Sequence, residues 1–344
     1  MNKVDEELKL DFSDVLIKPV ASRVPLTRKS VNIEIDWLDT TAVPVIVSNM
    51  LSTGTYKIAN ILTPMKVFTF IHKEYTAEQH KIELEKMSDR RYIAITSGVQ
   101  SWDKEKTLDV VSCYPDIGMI NIDIANVYAN VDGILETLRT YKMRFPNIKI
   151  SVGNIATPEL IPQFADEGAD YVKVGVGSGA ACKTRSEVGV GIPQLSAIMD
   201  CYEEAKYHNV GVISDGGCVT AGDVAKAIGA GASMVMIAGM VSKSEECDNI
   251  VEIDGKKYVN FYGLGSSKMY DLTKPTEQEY RPNEGRDLLI PCKGSIKSVL
   301  KQIQGGLRSA CTYVGAEHIN QLYGLVRFVR VQNTINNSLA KYEQ

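Results

Sequence analysis

The chain has 344 residues, 44% of them hydrophobic and 23% charged, which supplies a large buried core and excludes a disordered or low-complexity protein. With 38 lysines and arginines against 42 aspartates and glutamates, the formal net charge is −4, so no basic excess exists to hold phosphate backbones and no nucleic acid partner is expected. No apolar run approaches the roughly 18 residues of a membrane span, and the opening MNKVDEELKL alternates charges where a signal peptide carries an apolar stretch; a cytoplasmic protein with no membrane partner is expected.

In chain order, β-branched runs at residues 43–50, 66–72, 91–97, 118–124, 148–152, 171–176, 210–215 and 233–238 alternate with amphipathic helical stretches. Thr76 to Gln79 reads as a capping box, and Thr157-Pro158 as an N-cap with a first-turn proline before a helix ending near Gly168. Eight Val- and Ile-rich strands without a polar face predict a parallel sheet covered by helices, and eight such units close an α/β (β/α)8 TIM barrel. A doubly wound open sheet is the alternative, and either fold puts ligands at the strand C-termini. A long irregular excursion is expected from Ser242 to about Gly294, with a hairpin turn at Asp254-Gly255 and the polar stretch TKPTEQEYRPNEGR, to act as a flap. A closing helix follows, with Ile296, Val299, Leu300, Ile303 and Leu307 on one face. No short repeat or Pro/Ser-rich linker divides the chain, so residues 1–344 are read as one domain.

The seven cysteines (113, 182, 201, 218, 247, 292, 311) contain no C-x-x-C pair and the four histidines show no ligand spacing, so neither a disulfide framework nor a transition metal is expected. Most of these thiols should be small buried hydrophobes. Cys182 is the exception: it lies in a loop with Gly175, Gly177, Gly179, Gly189 and Gly191, and is flanked by Lys183 and Arg185. Glycines let such a loop approach a ligand closely, and nearby cations favour the thiolate, so Cys182 reads as a nucleophile. Gly175-x-Gly177-x-x-Ala180 also satisfies a loose dinucleotide fingerprint, but it follows the wrong strand and does not open directly into a helix. Asp215-Gly216-Gly217 before a helix near Thr220, and Ala238-Gly239 after the eighth strand, fit a phosphate site. Asp215 reads either as a helix-capping carboxylate or as an acceptor for a ribose diol.

Together with Cys182, the segments SDGGC, GGLRSACTYVG at residues 305–315 and LDFSDVLIKP at residues 10–19 make the chain similar, from about residue 5 to 332, to the IMP dehydrogenase and GMP reductase family. The resemblance implies a purine-nucleotide barrel whose loop cysteine bonds to C2 of the base. The spacing between Lys73 and Cys182 leaves no room for the regulatory CBS pair found in most dehydrogenases. The flap sequence GLGSSKMYD has Met269 before Tyr270 instead of the dehydrogenase Arg-Tyr pair, and the segment from Tyr280 through Glu284 to Gly285 is similar to the reductase branch, whose glutamate partners a threonine two residues past the cysteine. Here that threonine is Thr184.

What the resemblance implies is reductive deamination of GMP to IMP with NADPH, in which Cys182, Thr184, Glu284 and Lys73 are catalytic. GMP would meet Met50, Asp215, Gly216, Gly217, Ala238, Gly239, Gly263, Leu264, Gly265, Arg281, Pro282, Asn283 and Gly285. NADPH would meet Glu74, Asp123, Ile124, Ala125, Asn126, Val176 and Gly177, with Thr27, Arg28, Tyr280, Ser309, Ala310, Cys311 and Thr312 as further contacts across a homotetramer. Gly177, Gly179, Cys182 and Arg185 would hold a potassium ion. Ala180, Leu51, Val127 and Gly265 depart from the family pattern. An IMP dehydrogenase and a nucleotide-binding barrel without catalysis are the alternatives.

Overall fold

All eight expected strands form: β1 (Val45–Val47), β2 (Phe68–Ile71), β3 (Ile93–Ser97), β4 (Met119–Asp123), β5 (Lys149–Ile155), β6 (Tyr171–Val174), β7 (Gly211–Asp215) and β8 (Met234–Ile237). This computed structural model describes residues 4–22, 25–263, 265–268, 282–332 and 334. Every neighbouring pair is parallel, and β8 returns to β1 with Met236 opposite Ile46, so the sheet closes into a barrel and the open doubly wound alternative is excluded.

Every residue of β1, β2, β3 and β8 is buried, as expected of parallel strands covered by helices outside and by one another inside. Ile46, Phe68, Phe70, Ala94, Met119, Ile213, Met234 and Met236 fill the interior. Trp37, from a hairpin of Ile35–Trp37 and Thr40–Ala42, plugs the end where the strands begin: its ring meets Phe68 edge-on at 6.1 Å and Tyr171 at 4.3 Å. The opposite mouth, at the strand C-termini, is left for chemistry.

Around the barrel run α1 (Tyr56–Leu62), α2 (Ala77–Glu85), α3 (Ser101–Cys113), α4 (Val131–Arg144), α5 (Ile161–Asp166), α6 (Thr184–Glu187), α7 (Gln194–Ala205), α8 (Ala221–Gly229) and α9 (Ile296–Val314). The expected capping box opens α2, where the Thr76 hydroxyl accepts the Gln79 N–H and the Gln79 side chain accepts that of Thr76. Thr220 and Asp223 cap α8 the same way. Thr157-Pro158 starts a 3-10 turn that runs into α5. On α9 the face Ile296, Leu300, Ile303 and Leu307 is buried, with Val299 packed at its edge. Among the described residues, no helix is long and apolar enough to cross a membrane.

The excursion corrects one expectation. Instead of remaining irregular, it carries an antiparallel sheet of β9 (Ile250–Ile253), β10 (Lys256–Tyr262) and β11 (Asp287–Pro291). The Asp254-Gly255 turn has both residues at positive φ, 50° and 72°, the geometry a two-residue hairpin needs. β11 escapes pattern reading because DLLIP is a short segment ending in proline whose Leu288 and Ile290 pack on the core only once β10 supplies the pairing edge.

Candidate active site

The loop after β6 is held against the end of β7 by close backbone approach. A Cβ on Gly175, where φ is +153°, would lie 1.9 Å from the Asp215 carbonyl oxygen, so only glycine passes there. At Gly216, where φ is +94°, a Cβ would lie 2.6 Å from the Ser178 hydroxyl and 2.9 Å from the Gly179 nitrogen. These contacts bring the Cys182 loop over the Asp215-Gly216-Gly217 turn, which the Gly217 N–H also secures by donating to the Ser178 carbonyl at 2.8 Å.

Cys182 is half-buried, and its Sγ lies 3.1 Å from Thr184 Oγ1. The Thr184 hydroxyl donates to Glu284 Oε2 at 2.8 Å. A hydroxyl has one proton, so with that proton spent on the carboxylate its lone pairs face the thiol and the S–H donates to Thr184. The resulting path runs from sulfur through hydroxyl to carboxylate. It joins residues 100 apart in sequence because the chain entering β11 is stapled to the cysteine loop: Lys183 N–H donates to the Glu284 carbonyl at 2.6 Å and Arg286 N–H to the Ala181 carbonyl at 2.8 Å. Gly285 bridges Cys182 directly.

Of the two flanking cations, Arg185 is engaged elsewhere. Arg185 donates to Asp11 Oδ2 at 2.7 Å and to the Ile192 carbonyl at 2.8 Å, so its charge is committed to the N-terminal segment, and the group facing the sulfur is the Thr184 hydroxyl. The expectation of mostly buried spectator thiols holds for Cys201, Cys247 and Cys311, whereas Cys218 and Cys292 are half-buried and Cys113 is exposed.

Beside this path lies a polar cluster that sequence reading found only in part. Asp123 ends β4 and Asp215 ends β7, as expected, and both face Lys173 of β6. The Lys173 ammonium is 3.3 Å from Asp123 Oδ2 and 3.2 Å from Asp215 Oδ2 and also donates to Asn154 Oδ1. Asn49 Nδ2 donates to Asp123 at 2.7 Å, and Asn154 Nδ2 to Asp215 at 2.9 Å. Burial by itself would raise the Asp123 carboxyl, but Lys173, the Asn49 amide and the charge of Lys73 outweigh it and hold it below the usual carboxylate range. Burial would likewise lower Lys173, and Asp123 and Asp215 together reverse that. Lys173, Asn49 and Asn154 were missed; a lysine inside the apolar run YVKV was the available signal, since a buried ion must be paired.

Lys73 is half-buried just past β2; its charge acts on Asp123 and on the buried Asp103, and its carbonyl accepts from Lys106. Glu74, Ala125 and Asn126 are exposed, and Met50, Ile124, Val176 and Gly177 are half-buried. Ala238 and Gly239 follow β8, and a Cβ on Gly239 would touch the Ala180 methyl at 3.2 Å, so this loop also meets the cysteine loop. Gly263 and Gly265 pair with the chain entering β11, through Gly263 N–H to the Arg286 carbonyl and Gly285 N–H to the Gly265 carbonyl. Asn283 donates to Ser267 at 2.8 Å, and Pro282 is exposed. Leu264, Met269, Tyr270, Tyr280 and Arg281 lie outside the described residues.

Two expected groups are not brought to the thiol. Thr27 and Arg28 are exposed, with Thr27 bonded locally to Ser30. Ser309, Ala310 and Thr312 follow Arg308, which lines a cavity with Val43 and Lys66 at the strand beginnings, the far end of the barrel. Cys311 is fully buried on the apolar face of α9, so its side chain is part of the core.

Fold and site together define a (β/α)8 barrel whose strand C-terminal loops join Cys182 through Thr184 to Glu284 and whose strands β4 and β7 end in two carboxylates bridged by Lys173. The chain belongs to the IMP dehydrogenase and GMP reductase family: the model described as IMP dehydrogenase / GMP reductase domain matches residues 9–338. It is 37% identical to the GMP reductase of Ascaris suum, across 100% of this chain and 99% of that one. It is 38% identical to GMP reductase 2 of Homo sapiens, across 98% of each chain, and 37% identical to the GMP reductase of Yersinia enterocolitica, across 97% and 98%.

Proposed function

We propose that the chain converts GMP to IMP and ammonia with NADPH as hydride donor, in the cytoplasmic interconversion of purine nucleotides. The observation that carries this reading is the continuous path Cys182 Sγ, Thr184 Oγ1, Glu284 Oε2. The Cys182 proton passes along it to Glu284, the sulfur adds to C2 of the purine, and the same path returns the proton to the 2-amino group, which leaves as ammonia rather than as amide ion. A thioimidate on Cys182 remains. NADPH, when bound, supplies the hydride that reduces C2. Expulsion of the Cys182 sulfur then gives IMP, and Lys73 balances charge beside Asp123 during the exchange. The balance is GMP, NADPH and two protons in, and IMP, NADP+ and ammonium out.

The residues present fit these ligands. Asp215 accepts the ribose diol, and the Gly216 and Ala238-Gly239 backbones offer N–H groups to the phosphate. The exposed Ala125 and Asn126 beside Asp123 leave an open ledge next to the nucleotide for the nicotinamide. For potassium, the carbonyl donor set is chemically suitable: among the described residues no donor reaches the Gly177 and Cys182 carbonyl oxygens, although that of Gly179 accepts the Cys182 N–H at 2.9 Å. Thr27, Arg28, Ser309, Ala310 and Thr312 would serve a neighbour's cofactor in a tetramer, which light scattering would size.

Folded protein mixed with GMP and NADPH is expected to lose nicotinamide absorbance and release one ammonia per hydride. A flat trace overturns the reading, and NADH formation from IMP and NAD would assign the chain to the dehydrogenase branch.

A further inference from the structure

Inside the barrel, each of the two site carboxylates is anchored by one oxygen and presents the other. Asp215 Oδ2 takes the Lys173 ammonium at 3.2 Å and the Asn154 amide at 2.9 Å; Asp123 Oδ2 takes the same ammonium at 3.3 Å and the Asn49 amide at 2.7 Å. Among the described residues no donor reaches either Oδ1. The side chain of Lys173 is 2% exposed, against 13% for Asp123 and 23% for Asp215, so the cation lies beneath two carboxylates that reach toward the mouth.

We propose that Lys173 is a positioning residue for nucleotide binding: its ammonium holds Asp215 so that Oδ1 accepts the ribose diol, and by sharing itself with Asp123 it ties the nucleotide side of the site to the open ledge. The proposal rests on the reading of Asp215 as the ribose acceptor. It goes further in assigning a residue that touches no ligand. The charge count gives it a signature. Two carboxylates face one ammonium, so Lys173→Met leaves two negative charges together, whereas Lys173→Met with Asp123→Asn restores the original net charge without restoring the cation. A lysine that only filled space would be missed equally in both backgrounds.

The test is calorimetry of the full chain, without NADPH, comparing GMP with 2′-deoxy-GMP. Wild type is expected to prefer GMP by about tenfold or more, the worth of hydrogen bonds to a charged acceptor. Lys173→Met should lose most of that preference, and the double variant should recover at least part of it. An unchanged preference in Lys173→Met, or a double variant as impaired as the single one, overturns the proposal. A single variant that fails to fold while the double variant folds supports it, and failure of both overturns it. If wild type binds IMP but not GMP, the proposed function falls and the comparison is made with IMP and its 2′-deoxy form. Absence of any nucleotide binding overturns both.

Discussion

At the scale of single residues, the site separates bond formation from proton movement. Cys182 makes the bond, and Thr184 and Glu284 move the proton, so their removal should leave different traces. Cys182→Ala is expected to abolish turnover while GMP still binds, because the nucleotide contacts lie on other loops; ammonia assay and calorimetry on one preparation check it, and residual turnover near wild type defeats the covalent route. Glu284→Gln keeps the shape and a hydrogen-bond acceptor but cannot hold the proton, so kcat should fall by roughly 10²- to 10⁴-fold with KM for GMP little changed. Steady-state kinetics decides that split. Ala180 shows the opposite kind of departure. Its methyl lies where the cysteine loop meets Gly239, and it offers no hydroxyl to a phosphate bound there.

At the scale of elements, the phosphate-facing turn depends on helices packed behind it. α8 begins at Ala221, a short turn after Gly216-Gly217, with Thr220 and Asp223 satisfying its first N–H groups. Thr220→Ala should cost about 1 kcal/mol of stability, read as a lowered urea midpoint. α9 lies against α8 at a glycine: a Cβ on Gly306 would come within 2.4 Å of the Ala221 Cβ. Two effects compete in Gly306→Ala. Alanine gains about 1 kcal/mol of helix propensity, whereas forcing two packed helices apart costs about 1 to 3 kcal/mol. The clash is with a Cβ rooted in the neighbouring helix, not with the tip of a flexible side chain, so net destabilisation is expected from thermal unfolding.

At the scale of the molecule, acid should unfold the barrel chiefly through His72 and His80. Burial, then the charge of Lys106, pushes His72 down to about 4; burial, Lys106 and then His72 push His80 down to about 3. His80 Nδ1 is 2.6 Å from the Tyr56 hydroxyl, and its buried Nε2 meets no partner among the described residues, so the ring has no place for a second proton. A folded pKa below the unfolded value of about 6.5 means that the unfolded chain binds the proton first. The stability these rings contribute is complete above about pH 6.5 and declines as pH falls toward the folded values, at up to about 1.4 kcal/mol per pH unit for each ring. Asp123, also depressed, adds to the loss at lower pH. Urea unfolding from pH 7 to 4 should show this slope, and His80→Gln should flatten it. An unaltered slope in that variant would assign the acid sensitivity elsewhere.

The periodicity of apolar residues determined the eight strands, and with them the mouth at which Cys182, Asp215 and Gly216-Gly217 would meet, because a strand buried on both faces must be apolar along its whole length. Local chemistry determined the cap at Thr76 and the turn at Asp254-Gly255, since each involves only neighbours in the chain; at Thr157 the hydroxyl makes no capping bond and pairs instead with the Tyr128 hydroxyl at 2.9 Å. The relay partners Thr184 and Glu284 were legible through resemblance to a family, not from spacing. Only the tertiary structure decided that Arg185 is spent on Asp11, that Cys311 is core, that β11 completes a sheet, and that Lys173 joins two carboxylates 92 residues apart in sequence. Each of these depends on which partner a side chain or strand edge finds across the fold, and no local pattern encodes a contact whose other half comes from a distant strand.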